Sequence, residues 1–355
     1  MNVEELKYTV VKLLYQMIST PSFSGNEEKT AQLIGNTLKL YNIPIKRFKN
    51  NIISVNKYFN ESKPTILLNS HHDTVKPNKG YTRDPFKPEI SDGKLYGLGS
   101  NDAGGPLVTL LSSFIFFYNK KNLNYNLLFA ATAEEESSGP NGLNSVLQEF
   151  PPIDFAVVGE PTGMQMAIAE KGLLVIDAYA TGKAGHAAHE NTENAIYNAI
   201  EDIEYIKNYH FNKVSDFLGP VKMTVTQINA GEQHNVVPAS CHFVIDIRVN
   251  EHYTNHEIFD HLNQNTKSQL KARSFNLKPS FISESHPFVM AGKKWGRKTY
   301  GSPTLSDQSV LSCPSLKMGP GDSKRSHNAD EYIGFDELEE GINLLRNIFN
   351  EILIK

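Results

Sequence analysis

The sequence predicts an α/β protein: a mostly parallel sheet between helices, with an inserted ferredoxin-like α+β domain. Three observations carry this. Short apolar runs at 65–73 (TILLNSHHD), 126–134 (NLLFAATAE) and 155–161 (FAVVGEP) have the length and continuity of strands buried on both faces. Helical segments near 104–118 and 141–149 separate them, and alternating strands and helices argue for a parallel sheet. The stretch from about 172 to 282 instead reads β-α-β-β-α-β, the ferredoxin-like plan.

The elements follow in order. Leu6, Val10, Leu13 and Met17 recur at helical spacing and open the chain with a helix. Ser24 with Glu27 forms a capping-box pair before a second helix carrying Ala31, Ile34 and Leu38. The three apolar runs each end in or near acid or histidine, and in such sheets ligands bind beyond the carboxyl ends of the strands. The insertion is read as strand 173–181, helix 192–209, strands 221–229 and 239–249, helix 254–272 and strand 276–282. "SLKMGPG" then returns to the first sheet, and Asp336 with Glu339 caps a last amphipathic helix running to about Leu353. The expected division is therefore a catalytic domain of 1–170 and 283–355 with a lid or dimerisation domain of 171–282, since 355 residues is long for one core.

A net charge of −4 with 21% charged residues gives no basic surface for nucleic acid or anionic lipid. Cys241 and Cys313 are too few for a disulfide scaffold or a thiolate metal site, and fit the reducing cytoplasm. The opening MNVEELKY carries acids where a signal peptide would carry bases. The most apolar helix, Leu107–Tyr118, is too short to span a bilayer and reads as buried.

The chemistry gathers at the strand ends. His71 and Asp73 lie two apart, so they face the same way, and a carboxylate there can accept the second N–H of a metal-bound imidazole. Alone this is a polar strand end, and His72, pointing the other way, is read as one. Asp102 sits among Gly97, Gly99, Gly104 and Gly105; as a dinucleotide loop this would set a carboxylate against pyrophosphate, whereas it suits a bridging metal ligand. Glu134, Glu135 and Glu136 can share a site only where the chain has left the strand, which Ser137-Ser138-Gly139 permits; three acids by themselves would be a solvated loop. Glu160 ends another strand and His327 comes much later. Together these are two histidines, at least three carboxylates and no thiolate. That set suits a pair of zinc ions, with cobalt or manganese as substitutes.

These motifs resemble the family of acetylornithine deacetylase, succinyl-diaminopimelate desuccinylase, aminoacylase and carboxypeptidase G. H-x-D-x-V matches His71–Val75, G-x-G-S-x-D matches Gly97–Asp102, the acid-Glu-Glu run matches Glu134–Glu136, G-E-P-T matches Gly159–Thr162, and the late histidine motif matches Ser326–Glu331. The resemblance implies a zinc exopeptidase-like fold with two zinc ions bridged by Asp102, one also held by His71 and Glu160, the other by Glu136 and His327. It implies Glu135 as general base, Asp73 orienting His71, and a cis peptide at Asp102–Ala103. From the insertion it implies His186, reaching a partner subunit's site to stabilise the oxyanion, and Asn235 and Arg248, holding the substrate carboxylate. His189 and Glu331 are left as structural. Asp102-Ala103-Gly104-Gly105 departs from the relatives' Asp-Met-Lys-Gly, and Lys76 precedes Pro77, yet every ligand stays in place. The expected activity is hydrolysis of a small N-acyl amino acid, acetylornithine deacetylase-like, by a cytoplasmic homodimer. Other acyl-amino acids such as N-acyl-citrulline or succinyl-diaminopimelate, and a dipeptidase or carboxypeptidase activity, share the same metals and base. A non-catalytic metal protein would lack a ligand or the base, and none is missing.

Overall fold

The computed structural model describes residues 3–354. The chain divides into two compact units: the first takes in the chain up to Ile168, Phe281–Tyr300 and the chain from Ser306 onward, and the second takes in Ala169–Ser280 and Gly301–Leu305.

The centre of the first unit is a mixed sheet. Thr65–His71 lies between Asn126–Thr132 and Phe155–Val158, parallel to both, and Ser315–Lys317 continues the parallel set beyond Phe155–Val158. Asn51–Val55 and Lys46–Phe48 extend the other side antiparallel. Every residue of the three central strands is buried, which is why they read as unbroken apolar runs. Helices Val3–Ile18, Glu28–Leu40, Gly105–Tyr118 and Phe335–Leu353 belong to this unit. Gly105–Tyr118 has Pro106 in its first turn, where a missing N–H costs nothing. Leu107, Leu110, Leu111, Phe114 and Phe117 on it are fully buried, each worth about 1.5–3 kcal/mol over exposure. Among the described residues no helix is long and apolar enough to cross a membrane.

The second unit is a four-stranded antiparallel sheet in the order Lys222–Ala230, Ser240–Val249, Gly172–Thr181, Gln269–Ala272, with helices Ala195–Asn208 and Asn255–Asn265. Alternation along Gly172–Thr181 sends Leu174, Ile176 and Ala178 into a core shared with Phe243, Ile245 and Ile247. Asn194 caps the first helix, and Thr254 with Glu257 forms a capping box on the second.

Five expectations need correction. The segment 141–149 is not a helix but two short 3₁₀ turns, Leu143–Ser145 and Leu147–Glu149; Gly142 is extended before them and Pro151-Pro152 leaves no room to continue. The helix expected over 254–272 stops at Asn265, because Asn265 and Thr266 stand where an apolar residue would follow Leu262. The Asp202 carboxylate then takes the N–H groups of Lys267 and Ser268 (2.9 and 2.8 Å), drawing the chain into the fourth strand, Gln269–Ala272. Accordingly 276–282 is not that strand; only Ser280–Phe281 is extended, in the first sheet. The final helix is capped by Glu337, which accepts the Gly334 N–H (2.8 Å), rather than by Asp336 with Glu339. Ser24 likewise caps no helix: its hydroxyl donates to Asp73.

Candidate metal centre

Because the central strands are parallel neighbours, their carboxyl ends share one edge of the sheet, and the chain places His71, the Glu134–Glu136 turn and Glu160 there. Asp102 enters from the turn Ser100–Gly104, which leads into Gly105–Tyr118 and contains a cis Asp102–Ala103 peptide, as expected. His327 follows the 3₁₀ turn Ser323–Arg325.

The side chains converge. His71 Nε2 lies 3.3 Å from Asp102 Oδ1 and 3.8 Å from both Glu135 Oε2 and Glu160 Oε1. His327 Nε2 lies 3.0 Å from Glu136 Oε2 and 3.9 Å from Asp102 Oδ2. Asp102 thus faces one imidazole with each oxygen, the disposition of a bridging ligand. Ligand atoms of His71, Asp102 and Glu136 all lie within 4.8 Å of one another and form a cluster able to hold a metal ion. Nitrogen and carboxylate donors without sulfur fit a divalent cation of the zinc, cobalt or manganese kind.

The electrostatics agree. Burial would drive His71 to neutrality, but Glu135, Asp102 and Asp73 hold its proton and raise its pKa well above the ordinary value. Burial pushes Glu135 well above a normal glutamate; His71 opposes this, while Glu160, Asp307 and Glu136 add repulsion. The hydrogen bond to Glu136 raises His327 to about 9.

Asp73 touches both His71 and the glutamate turn. The His71 Nδ1–H donates to the Asp73 carbonyl (3.0 Å), with the carboxylate at 3.4 Å. The carboxylate itself accepts the N–H groups of Glu135 and Glu136, each at 3.1 Å. His72 is structural: buried, its pKa lowered to about 4 by desolvation, with partners at Thr30 and the Asn50 carbonyl. Gly319 lets the chain pass close to Glu160, since a Cβ there would lie 2.6 Å from the Glu160 carbonyl oxygen.

Two buried acids gain importance beyond the sequence reading. Glu331 accepts the N–H groups of Gly99, Asn101 and Asp102 (3.1, 2.8 and 2.9 Å) and so fixes the loop that presents Asp102. Burial and the Asp102 charge push it up to about 8. Asp307 accepts from Thr132 Oγ1 (2.7 Å), and burial raises it to about 6. Nothing in its local sequence, SDQS, marks it.

In the second unit, His186 is exposed on a two-residue strand, Gly185–His186, paired with Val236–Val237, and the Ala187 N–H donates to the Asn235 carbonyl (3.0 Å). Arg248 lies at the far end of Ser240–Val249, paired with Asp246 at 2.9 Å. His186 and Asn235 are thus close neighbours, and Arg248 is remote from both within this unit.

A family model described as peptidase family M20/M25/M40 matches residues 67–351. Acetylornithine deacetylase of Proteus mirabilis (strain HI4320) is 27% identical over 383 residues, covering 98% of this chain and 97% of that protein. Succinyl-diaminopimelate desuccinylase 2 of Ruegeria sp. (strain TM1040) is 24% identical, covering 97% and 94%. Among solved structures, a dinuclear metal-binding peptidase of the M20 family from Bacillus subtilis superposes with a TM-score of 0.72 over 98% of each chain at 14% identity. With most of its length matched and its acids and imidazoles gathered at one sheet edge, the chain belongs to peptidase family M20/M25/M40 and is a metallohydrolase of amide or peptide bonds.

Proposed function

We propose that the protein is a two-zinc deacylase of small N-acyl amino acids, acetylornithine deacetylase-like and serving arginine synthesis in the cytoplasm, with cobalt or manganese able to replace zinc. The supporting observation is the placement of Asp102 between His71 and His327, with Glu135 and Glu160 beside the first and Glu136 beside the second. His71 and Glu160 would complete one ion's ligands, Glu136 and His327 the other's, with Asp102 shared. When bound, the ions would polarise the scissile carbonyl and lower the pKa of water toward neutrality.

Glu135 takes the proton of the water as its oxygen bonds the carbonyl carbon and returns it to the nitrogen as the C–N bond breaks, so that the amine departs as the free amino acid and the acyl group as its carboxylate. Asp73 holds the Glu135–Glu136 turn through both N–H groups and steadies the His71 ring. Arg248 and Asn235 hold the substrate carboxylate, and His186 donates to the oxyanion. Arg248 stands at one end of the strand Ser240–Val249, and the His186–Asn235 pair belongs to a separate two-stranded ribbon that leads into the other end, roughly 25 Å away at ~3.3 Å per residue. A small substrate cannot touch both in a single copy, which supports a homodimer in which a second copy supplies His186 and Asn235. The exposed edge strand Lys222–Ala230, with Ile228 51% exposed, offers the insertion a pairing edge for that contact.

A panel of N-acetyl-ornithine, N-acetyl-citrulline, N-succinyl-diaminopimelate and simple dipeptides, assayed with zinc or cobalt, tests the reading. Turnover of an acyl-amino acid is expected. Turnover of dipeptides alone would favour the peptidase reading.

A further inference from the structure

A partly buried polar network lies beside the cluster, in the segment Ser22–Glu27. Ser24 Oγ donates to Asp73 Oδ2 (2.7 Å). Glu27, fully buried, accepts the Glu134 N–H (3.3 Å) and the Gly25 N–H on one oxygen and the Asn50 side-chain amide (2.8 Å) on the other. The N–H groups of Glu134, Glu135 and Glu136 therefore land on Glu27, Asp73 and Asp73 in turn. The segment is fastened to the histidine strand as well. Ser22 Oγ donates to the His72 carbonyl (2.8 Å), the Thr74 N–H donates to the Ser22 carbonyl (2.8 Å), and the Thr30 hydroxyl bridges Ser22 and His72 Nδ1 (2.7 and 2.9 Å).

This arrangement has a physical rationale. At Glu134 the backbone turns left-handed (φ +55°) and leaves the strand, so three successive N–H groups lose their ladder partners. Carboxylate acceptors are roughly twice as strong as neutral ones. The base needs such restraint, because catalysis demands reacting groups held to within about 0.5 Å.

We propose that Ser24 and Glu27 are positioning residues for the hydrolytic reaction, holding the Glu134–Glu136 turn in its working geometry. Ser24 acts through Asp73 and Glu27 acts directly on the turn's backbone. The inference rests on Glu135 being the base.

The test compares Ser24→Ala, Ser24→Thr and Glu27→Gln with the parent chain by hydrogen exchange and kinetics. In the Ala and Gln variants, peptides covering 132–139 should exchange about tenfold faster while peptides from the second unit are unchanged, and Ser24→Thr should restore protection. With N-acetyl-ornithine, or the panel member turned over, Ser24→Ala should lower kcat about tenfold and shift KM by less than about twofold. Unchanged protection over 132–139 in Ser24→Ala, or acceleration spread evenly along the chain, overturns the proposal. Glu135→Gln separates the two readings. An active Glu135→Gln removes the base while the exchange result still decides whether the turn is held. An inactive Glu135→Gln beside a fully active, fully protected Ser24→Ala removes only the positioning role.

Discussion

The acids of the two units meet the same electrostatic problem in opposite ways. In the second unit Asp177 receives both arms of Arg273 (2.8 and 3.0 Å) and His242 Nε2 (2.9 Å), and the guanidinium first of all holds its pKa at about 2. Asp202 there is satisfied by the N–H groups of Lys267 and Ser268. In the first unit Glu135 is buried among Glu160, Asp307 and Glu136, with the His71 imidazole opposing them, and its pKa rises instead. Where the chain supplies its own donors, a carboxylate serves the fold. Where like charges crowd together beside imidazoles, neutralisation comes from outside, and that is a binding site.

Breaking the contrast at its centre should have the largest effect. Glu135→Gln removes the proposed base and none of the proposed ligands, so metal content should hold while kcat falls by about 10²–10⁴-fold. Elemental analysis beside steady-state kinetics checks both; wild-type turnover would end the assignment.

Chelation comes next. Adding metal back to the stripped protein at about 100 times its Kd should stabilise it by about 2.7 kcal/mol, read as a rise in Tm. The increment depends on pH with a definite sign. In the metal-free chain His327 is raised to about 9 by Glu136. The protonated pair therefore stabilises fully below the unfolded histidine's pKa of about 6.5, and that contribution is lost as pH climbs through about 9. Metal needs the neutral ring, so its affinity and its Tm increment should grow from pH 6 to 9, with proton release visible by calorimetry in buffers of different ionisation enthalpy. A flat increment would mean that His327 is no ligand. The smallest effect belongs to the second unit. Arg273→Ala breaks a pair whose arginine is half exposed, and should cost at most about 1 kcal/mol with metal affinity untouched.

Much of this was legible in the chain because the first sheet is buried on both faces. Runs such as Leu127–Leu128–Phe129 declare themselves, and a polar residue at their ends stands out. His71, Glu135 and Glu160 were readable for that reason, since parallel neighbours bring successive strand ends to one edge. Where tertiary partners overrule local pattern, the local sequence misleads. Ser24 has the spacing of a cap, yet Asp73, 49 positions away, takes its hydroxyl. The segment 267–268 looks helical until Asp202 claims its N–H groups. Asp307 carries no periodic or motif signal, because its importance comes wholly from Thr132 and the strands behind it. Glu331 lies inside a motif, but three backbone donors from a distant loop give it its task.

The 191-residue separation of Glu136 and His327 carries a consequence for biosynthesis. His71, Asp102 and Glu160 all precede the inserted domain in the chain, but the loop that carries Asp102 rests on Glu331, near the far end. Neither half of the proposed cation site can take its final form until nearly the whole polypeptide has emerged, and a chain arrested short of Glu331 should bind metal poorly at both.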